Sequence, residues 1–117
     1  MNYHNKNLGA RGEDLALEYL EKKGYKLLKR NLRMKAGEID LLMQQKDTLI
    51  IVEVKTKMSQ EYGTPQDEID YFKKKKLLQL AKSLWQLYPS HSIRIDVVAV
   101  DGKNKTIDHV INAVEES

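Results

Sequence analysis

The sequence predicts a single α/β domain in which a mixed central β-sheet is flanked by helices, in the order α-β-β-β-α-β-β. Two segments carry apolar residues at helical spacing. Between and after them stand runs rich in β-branched residues, such as TLIIVEVKTK and SIRIDVVAV, which are typical of strands. The length of 117 residues leaves room for one modest hydrophobic core, so we expect one domain over 1–117.

The predicted elements follow from apolar periodicity and from the turn residues between them. Gly24 is placed to end the first helix, and Thr64 followed by Pro65 resembles the start of the second, with a break near Asp70. The second helix would bury a stripe that includes Phe72 and Tyr88. In order, we expect a helix over 8–23, strands over 25–32, 38–44 and 49–57, a loop over 58–64, a helix over 64–88, and strands over 93–100 and 106–111.

Composition excludes several classes of site. The sequence has no cysteine, which rules out disulfides and thiolate-ligated zinc or iron–sulfur sites. The first dozen residues lack the apolar core of a signal peptide, and no window approaches a membrane span. We therefore expect a cytoplasmic protein with no membrane partner. The net charge of +3 and the pI near 9.0 suit a polyanionic partner such as nucleic acid.

The two central strands place acidic residues side by side. If their hairpin turns at Lys46 and Asp47, cross-strand pairing puts Asp40 opposite Glu53 and Glu38 opposite Lys55. Directly opposed side chains start about 5 Å apart at Cβ. The other face would then carry Ile39, Leu41 and Met43 together as core.

Paired carboxylates repel each other and resist burial, so they need a compensating charge. Mg²⁺ fits, because it prefers carboxylate oxygens and water. Lys55 points to the same side as Glu53 and could reach a metal-bound water or a phosphate oxygen. Glu13 lies on the inward shoulder of the first helix and could complete the ligand set. The alternative is an ordinary ion pair on a strand face, but the position of Asp40 and its apolar neighbours favour a metal site.

The motif G-E-I-D followed by E-V-K resembles the PD-(D/E)xK nuclease signature, although Ile39 stands where the motif name has proline. Together with LGARGEDLALEYL, KAGEIDLL, IVEVKTK and IRIDVVAV, it resembles the YraN family. These are small bacterial proteins predicted to be endonucleases, with a restriction-endonuclease-like fold related to archaeal Holliday junction resolvases. The resemblance implies that Asp40 and Glu53 are metal ligands, Lys55 is the catalytic lysine and Glu13 is an additional acid.

The function expected from this resemblance is Mg²⁺-dependent hydrolysis of phosphodiester bonds, with Mn²⁺ as a substitute. The carbonyl of Val54 would join Asp40 and Glu53 as a ligand. DNA is favoured over RNA, and a branched or flap-like structure over a defined sequence. The alternatives are a non-catalytic nucleic-acid-binding module with the same fold, or an assembly subunit, and the sequence leaves a homodimer open.

Other polar residues receive less weight. The run of four lysines over 73–76 is interpreted as a solvated helix start, of which one or two members contact phosphate at most. Lys57, Lys35 and Arg33 are the better candidates for phosphate contacts. Arg94 and Asp96 share one side of their strand and predict an internal ion pair. The three histidines, among them His109, show no ligand spacing and are interpreted as incidental.

Overall fold

The helices and strands form in the predicted order, which confirms the predicted fold class and the α-β-β-β-α-β-β sequence of elements. The computed structural model describes residues 3–57 and 70–115, and side chains from residue 11 onward within the first range. Most boundaries agree with the predicted ones within two residues, but the first helix begins five residues earlier than expected. The elements are α1 (Tyr3–Lys22), β1 (Lys26–Met34), β2 (Gly37–Gln45), β3 (Thr48–Lys57), α2 (Tyr71–Leu87), β4 (Ser92–Asp101) and β5 (Thr106–Val110).

Helix α1 ends at Lys22, and Gly24 forms the turn that terminates it, as the sequence predicts. Gly24 has φ +91°, a conformation that glycine adopts without steric cost. Its backbone N–H donates to the carbonyl of Glu21, and the N–H of Tyr25 donates to the carbonyl of Leu20. This pair of bonds satisfies the last helical carbonyls and turns the chain into β1.

The five strands form one mixed sheet in the order β1-β2-β3-β4-β5. Strands β3 and β4 run parallel, and the other three neighbouring pairs are antiparallel. A parallel pair needs a crossover, and α2 lies within the crossover between these two strands. In the described part of the chain, neither helix is long and apolar enough to cross a membrane.

Each helix covers one face of the sheet. Ala16 and Leu20 of α1 pack into one buried cluster, in which Val52 is a member from the sheet. Leu77, Leu80 and Leu84 of α2 belong to a second buried cluster on the opposite face. Strand β3 is therefore buried on both sides, as its nearly continuous apolar run predicts.

Helix α2 is capped by Asp70, whose carboxylate accepts a hydrogen bond of 2.8 Å from the backbone N–H of Lys73. This is the break that the sequence indicates. The expected loop over 58–64, the cap at Thr64 and the rest of the segment through 69 lie outside the described residues. The predicted apolar stripe is wrong at both ends, since Phe72 is 77 % exposed and Tyr88 is also exposed. The three central leucines of α2 supply its fully buried contacts, and Leu78 and Ala81 pack beside them.

A buried polar network joins β4 to its neighbours. The Arg94 guanidinium lies 2.9 Å from the carboxylate of Asp96, which confirms the internal ion pair. Asp96 also accepts hydrogen bonds from the hydroxyl of Tyr25 and the backbone N–H of Asn112, and its Oδ2 lies 2.8 Å from Nε2 of His109. The interpretation of His109 as incidental is therefore wrong. These contacts hold the pKa of Asp96 below its usual range despite burial.

Candidate metal and phosphodiester site

The hairpin of β2 and β3 adopts the predicted register. Leu41 pairs with Val52 and Gln45 with Thr48, and the turn between them has Lys46 at φ 54°. The regular ladder ends at the Leu41 pair, one residue before Asp40 and Glu53 would meet. Glu38 is consequently not paired with Lys55, which corrects that expectation. It lies instead opposite Arg33 of β1, with 3.5 Å between their charged groups.

The side-chain alternation of β2 changes phase at Asp40. Leu41 and Met43 pack on the α1 face, whereas Ile39 packs on the α2 face. The prediction that these three side chains share one face is therefore wrong. On β1, Asn31 stands between two regular pairs of the β1–β2 ladder and has φ 55°. Asparagine tolerates this left-handed conformation better than most residues. The irregularity of both strands at this level explains the change of phase.

Asp40 lies at this irregularity and bonds to the neighbouring strand through its side chain. Its Oδ2 accepts a hydrogen bond of 2.9 Å from the backbone N–H of Val54. Burial and a hydrogen bond with the carboxyl of Glu53 raise the pKa of Asp40 to about 7, and the charges of Glu53 and Glu13 act in the same direction. The negative charge of Glu53 therefore opposes the ionisation of Asp40.

Glu53 is one of the few buried charged residues in the described chain, with only 7 % of its side chain exposed. The ammonium of Lys73, from the first turn of α2, lies 2.8 Å from its Oε2. The contact is an ion pair without hydrogen-bond geometry, so this buried oxygen has no hydrogen-bond donor. Lys73 thus faces this buried oxygen with its positive charge, and a metal ion would compete with that ammonium for it.

Lys55 follows Glu53 by two residues on β3, so both side chains leave the strand on the face that α2 covers. Lys55 is half-buried, and its side chain has no ion-pair partner among the described residues. The side chain of Val54 points toward α1, and its backbone lies at the site, where its N–H donates to Asp40. The structure therefore brings Asp40, Glu53 and Lys55 to one end of the β2–β3 hairpin.

Glu13 faces the sheet from α1, as its helical position predicts. Its carboxylate lies 3.2 Å from Nε of Arg30 on β1, and the same guanidinium lies 2.7 Å from Asp14. Helix α1 lies close to the sheet at this level, as shown by Gly12, where an added Cβ would stand 1.9 Å from Oγ1 of Thr56. Glu13 is thus near enough to influence Asp40 by its charge but is held by Arg30.

The acidic and histidine side chains of the described residues limit the set of donors for one cation. Within residues 3–57 and 70–115, no three acidic or histidine side chains are arranged to hold a metal ion together. Asp40 and Glu53 form the close pair, and Glu13 stands apart from it. A pair suffices for Mg²⁺, which commonly binds one or two carboxylates and retains several water molecules.

Three residues of this region are missed by the sequence analysis. Lys73 lies one helical turn before Leu77, at the spacing that continues the buried stripe of α2 toward the site. This spacing is the signal that distinguishes it from the other lysines of the run. Lys76 is exposed, but its side chain reaches β2, since its Cε would lie 2.4 Å from a Cβ on Gly37. Arg30 gives no comparable signal, because its partner Glu13 belongs to another element.

Comparison with known proteins relates nearly the whole chain to one family. The family described as "Uncharacterised protein family UPF0102" matches residues 12–100. The chain is similar to a UPF0102 protein of Geobacter metallireducens, with 40% identity over 98% of each chain. A UPF0102 protein of Syntrophomonas wolfei is 44% identical over 93% of this chain and 98% of its own. One from Rhodococcus opacus is 39% identical over 94% and 98%, respectively.

Proposed function

The chain belongs to the uncharacterised protein family UPF0102, and we propose that it is a metal-dependent endonuclease that hydrolyses phosphodiester bonds in DNA. The observation that carries this proposal is the pair of carboxyl groups of Asp40 and Glu53, held against each other where burial opposes their charge. Such an arrangement costs stability in the metal-free protein, and carboxyl groups perturbed in this way are concentrated at functional sites. The resemblance to the YraN family and to the PD-(D/E)xK motif supports the same chemistry.

The donor set fits Mg²⁺, with Mn²⁺ as a substitute. Asp40 and Glu53 supply hard anionic oxygens, and Oε2 of Glu53 is buried without a hydrogen-bond donor. The backbone carbonyl of Val54 would be the remaining protein ligand. The chemistry that this ion supplies when bound is Lewis-acid polarisation of a phosphate and acidification of water. Glu13 acts on Asp40 through its charge, and its role as a further ligand stays a prediction.

Lys55 would act on the reacting groups themselves. From its position beside Glu53, it would orient the attacking water and offset the negative charge that builds on the phosphate. Because the side chain has no ion-pair partner in the described chain, it needs no rearrangement of an existing contact to do so. The basic net charge of +3 favours the approach of a polyanion. The preference for DNA, and for branched or flap-like forms, rests on the resemblance.

The direct test is a cleavage assay with a panel of substrates. Purified protein is incubated with linear, nicked, flap and four-way DNA and with RNA, in Mg²⁺ or Mn²⁺ and in chelator. Asp40→Asn, prepared identically, controls for contaminating nuclease because a contaminant is indifferent to the substitution. We expect cleavage by the unmodified protein in either metal and none by the variant. Equal cleavage by both proteins, or none on any substrate, would refute the proposal, and binding without cleavage would favour the non-catalytic module.

A further inference from the structure

Two large aromatic side chains stand exposed at the beginning of α2. Tyr71 is 69 % and Phe72 is 77 % exposed, and their ring centroids lie 5.5 Å apart at an interplanar angle of 78°. This edge-to-face contact leaves most of both rings in water. Isolated apolar residues are common on protein surfaces. An adjacent pair of exposed rings that does not pack against the buried face of α2 is less common. The position of this pair in the chain indicates its role more than its exposure does.

The aromatic pair directly precedes, in the sequence, the lysine that contacts the acidic site. Lys73 is the next residue along the chain, and its ammonium lies 2.8 Å from the buried Oε2 of Glu53. Consecutive Cα atoms are about 3.8 Å apart, so Phe72 is anchored immediately next to the residue that contacts the site. The same helical turn carries Lys74 and Lys75, both exposed. Positive charge and aromatic surface therefore occur together in the first turn of α2, which also supplies the lysine that contacts Glu53.

This combination is complementary to one class of ligand. Nucleic acids without a complementary strand are bound by positive charge along the backbone and by aromatic rings on which bases stack. Every base has a π-face, so stacking tolerates any sequence. In a duplex, those faces are covered by neighbouring base pairs. Exposed rings beside a phosphodiester site can thus distinguish unpaired nucleotides from paired ones.

We propose that Tyr71 and Phe72 form a stacking site for unpaired nucleobases, next to the scissile phosphate at Asp40 and Glu53. The inference rests on the proposed function and narrows its substrate class to nucleic acids with unpaired nucleotides beside the bond that is cut. Lys73 connects the two sites along the chain, because it follows Phe72 directly and its ammonium contacts Glu53. The stacked base belongs to a nucleotide close to the reacting phosphate.

Binding measured in chelator tests the stacking site without any cleavage. Fluorescence anisotropy gives the Kd of the full chain for a labelled single-stranded oligonucleotide and for a blunt duplex of the same sequence. For the Tyr71→Ala/Phe72→Ala double variant, we expect single-strand binding to weaken roughly 5- to 150-fold for each stacked base lost, with duplex binding nearly unchanged. Trp85→Ala is the matched control, because Trp85 is an exposed aromatic residue farther along the same helix. It should leave both affinities unchanged.

The exchange variant Tyr71→Phe/Phe72→Tyr keeps two rings and should retain single-strand binding. Since both side chains are exposed, the thermal midpoint of each variant should match that of the unmodified protein. An unchanged single-strand affinity in the double alanine variant, an equal loss on duplex and single strand, or an equal loss in Trp85→Ala would overturn the inference. The first of these outcomes would indicate that the rings contact a protein partner instead.

The same variants separate this inference from the proposed function. If the rings are needed for single-strand binding but no substrate is cut in Mg²⁺ or Mn²⁺, the stacking site stands and the nuclease proposal fails. If the unmodified protein cuts DNA and the double alanine variant keeps the same ratio of flap to blunt-duplex cleavage, the nuclease proposal stands and the stacking site fails.

Discussion

The ammonium of Lys73 lies 2.8 Å from Oε2 of Glu53, so the first turn of α2 carries a positive charge to a buried acid of β3. In the proposed enzyme, a divalent ion would bind the same carboxylate. A lysine and a cation at one carboxylate repel each other, and Lys73 therefore weakens metal binding unless it moves to a phosphate.

We expect Lys73→Gln to bind Mg²⁺ or Mn²⁺ more tightly, on the order of tenfold, because the competing charge is removed. Isothermal titration calorimetry on the free protein measures the change. Lys74→Gln removes the same charge from an exposed neighbouring position and should have little effect. Weaker metal binding by the Lys73 variant would show that the lysine supports the site instead of opposing the ion.

Lys55 should be required for hydrolysis and not for metal binding. Loss of a positioned proton-transfer group commonly lowers a rate by about 100-fold to 10,000-fold, and we expect Lys55→Ala to fall in that range. Single-turnover cleavage rates and calorimetric metal affinity separate the two effects. Lys26→Ala is the control, because Lys26 is exposed and pairs with Gln44 at the opposite end of the sheet. Equal rates for Lys55→Ala and the unmodified protein would exclude this lysine from the reaction.

The raised pKa of Asp40 makes the stability of the metal-free protein depend on pH. An unfolded aspartate has a pKa of about 3.9, and burial beside Glu53 raises the pKa of Asp40 to about 7 in the folded state. The folded protein therefore holds the proton more tightly than the unfolded chain. This contribution to stability is fully present below about pH 4 and is lost as pH rises through about 7.

Urea denaturation in chelator between pH 4 and pH 8 measures this dependence. Asp40 should lower the free energy of unfolding by at most about 1.4 kcal/mol per pH unit over that window. Asp40→Asn keeps the shape of the side chain without its titration, so its profile should be flatter. Added Mg²⁺ should stabilise the unmodified protein most at the alkaline end, where Asp40 is ionised. Parallel profiles for the two proteins would contradict the shift.

The network around Asp96 should stabilise the fold without taking part in the reaction. Removing one partner of a buried charged network commonly costs about 3–5 kcal/mol, and we expect Asp96→Asn to lower the free energy of unfolding by that order. Because the pKa of Asp96 is held below its usual range, its contribution is present at neutral pH and lost as pH falls below about 4. Asp108→Asn on the neighbouring strand β5 is the control. A stability change in Asp96→Asn no larger than the control's would refute this role.

The sequence predicts the part of the site that depends on local geometry. An even-numbered turn fixes the pairing of Leu41 with Val52, and from that register the neighbourhood of Asp40 and Glu53 follows. The change of phase at Asp40 could not be predicted, because it depends on a left-handed residue, Asn31, in another strand. Apolar periodicity likewise does not predict contacts between elements that are far apart in the sequence. His109 bonds to Asp96 only because β5 returns beside β4.

The two kinds of strand pairing in the sheet imply an order of folding. Leu41 and Val52 are near neighbours in sequence, whereas Thr48 pairs with Ser92 across the whole crossover. Closing the longer loop costs more chain entropy before its contacts form, so the hairpin forms readily and the parallel pair follows. The acids Asp40 and Glu53 come together with the hairpin, and the lysine that covers Glu53 arrives only when α2 docks. We therefore expect local contacts to bring the acidic pair together before α2 covers it.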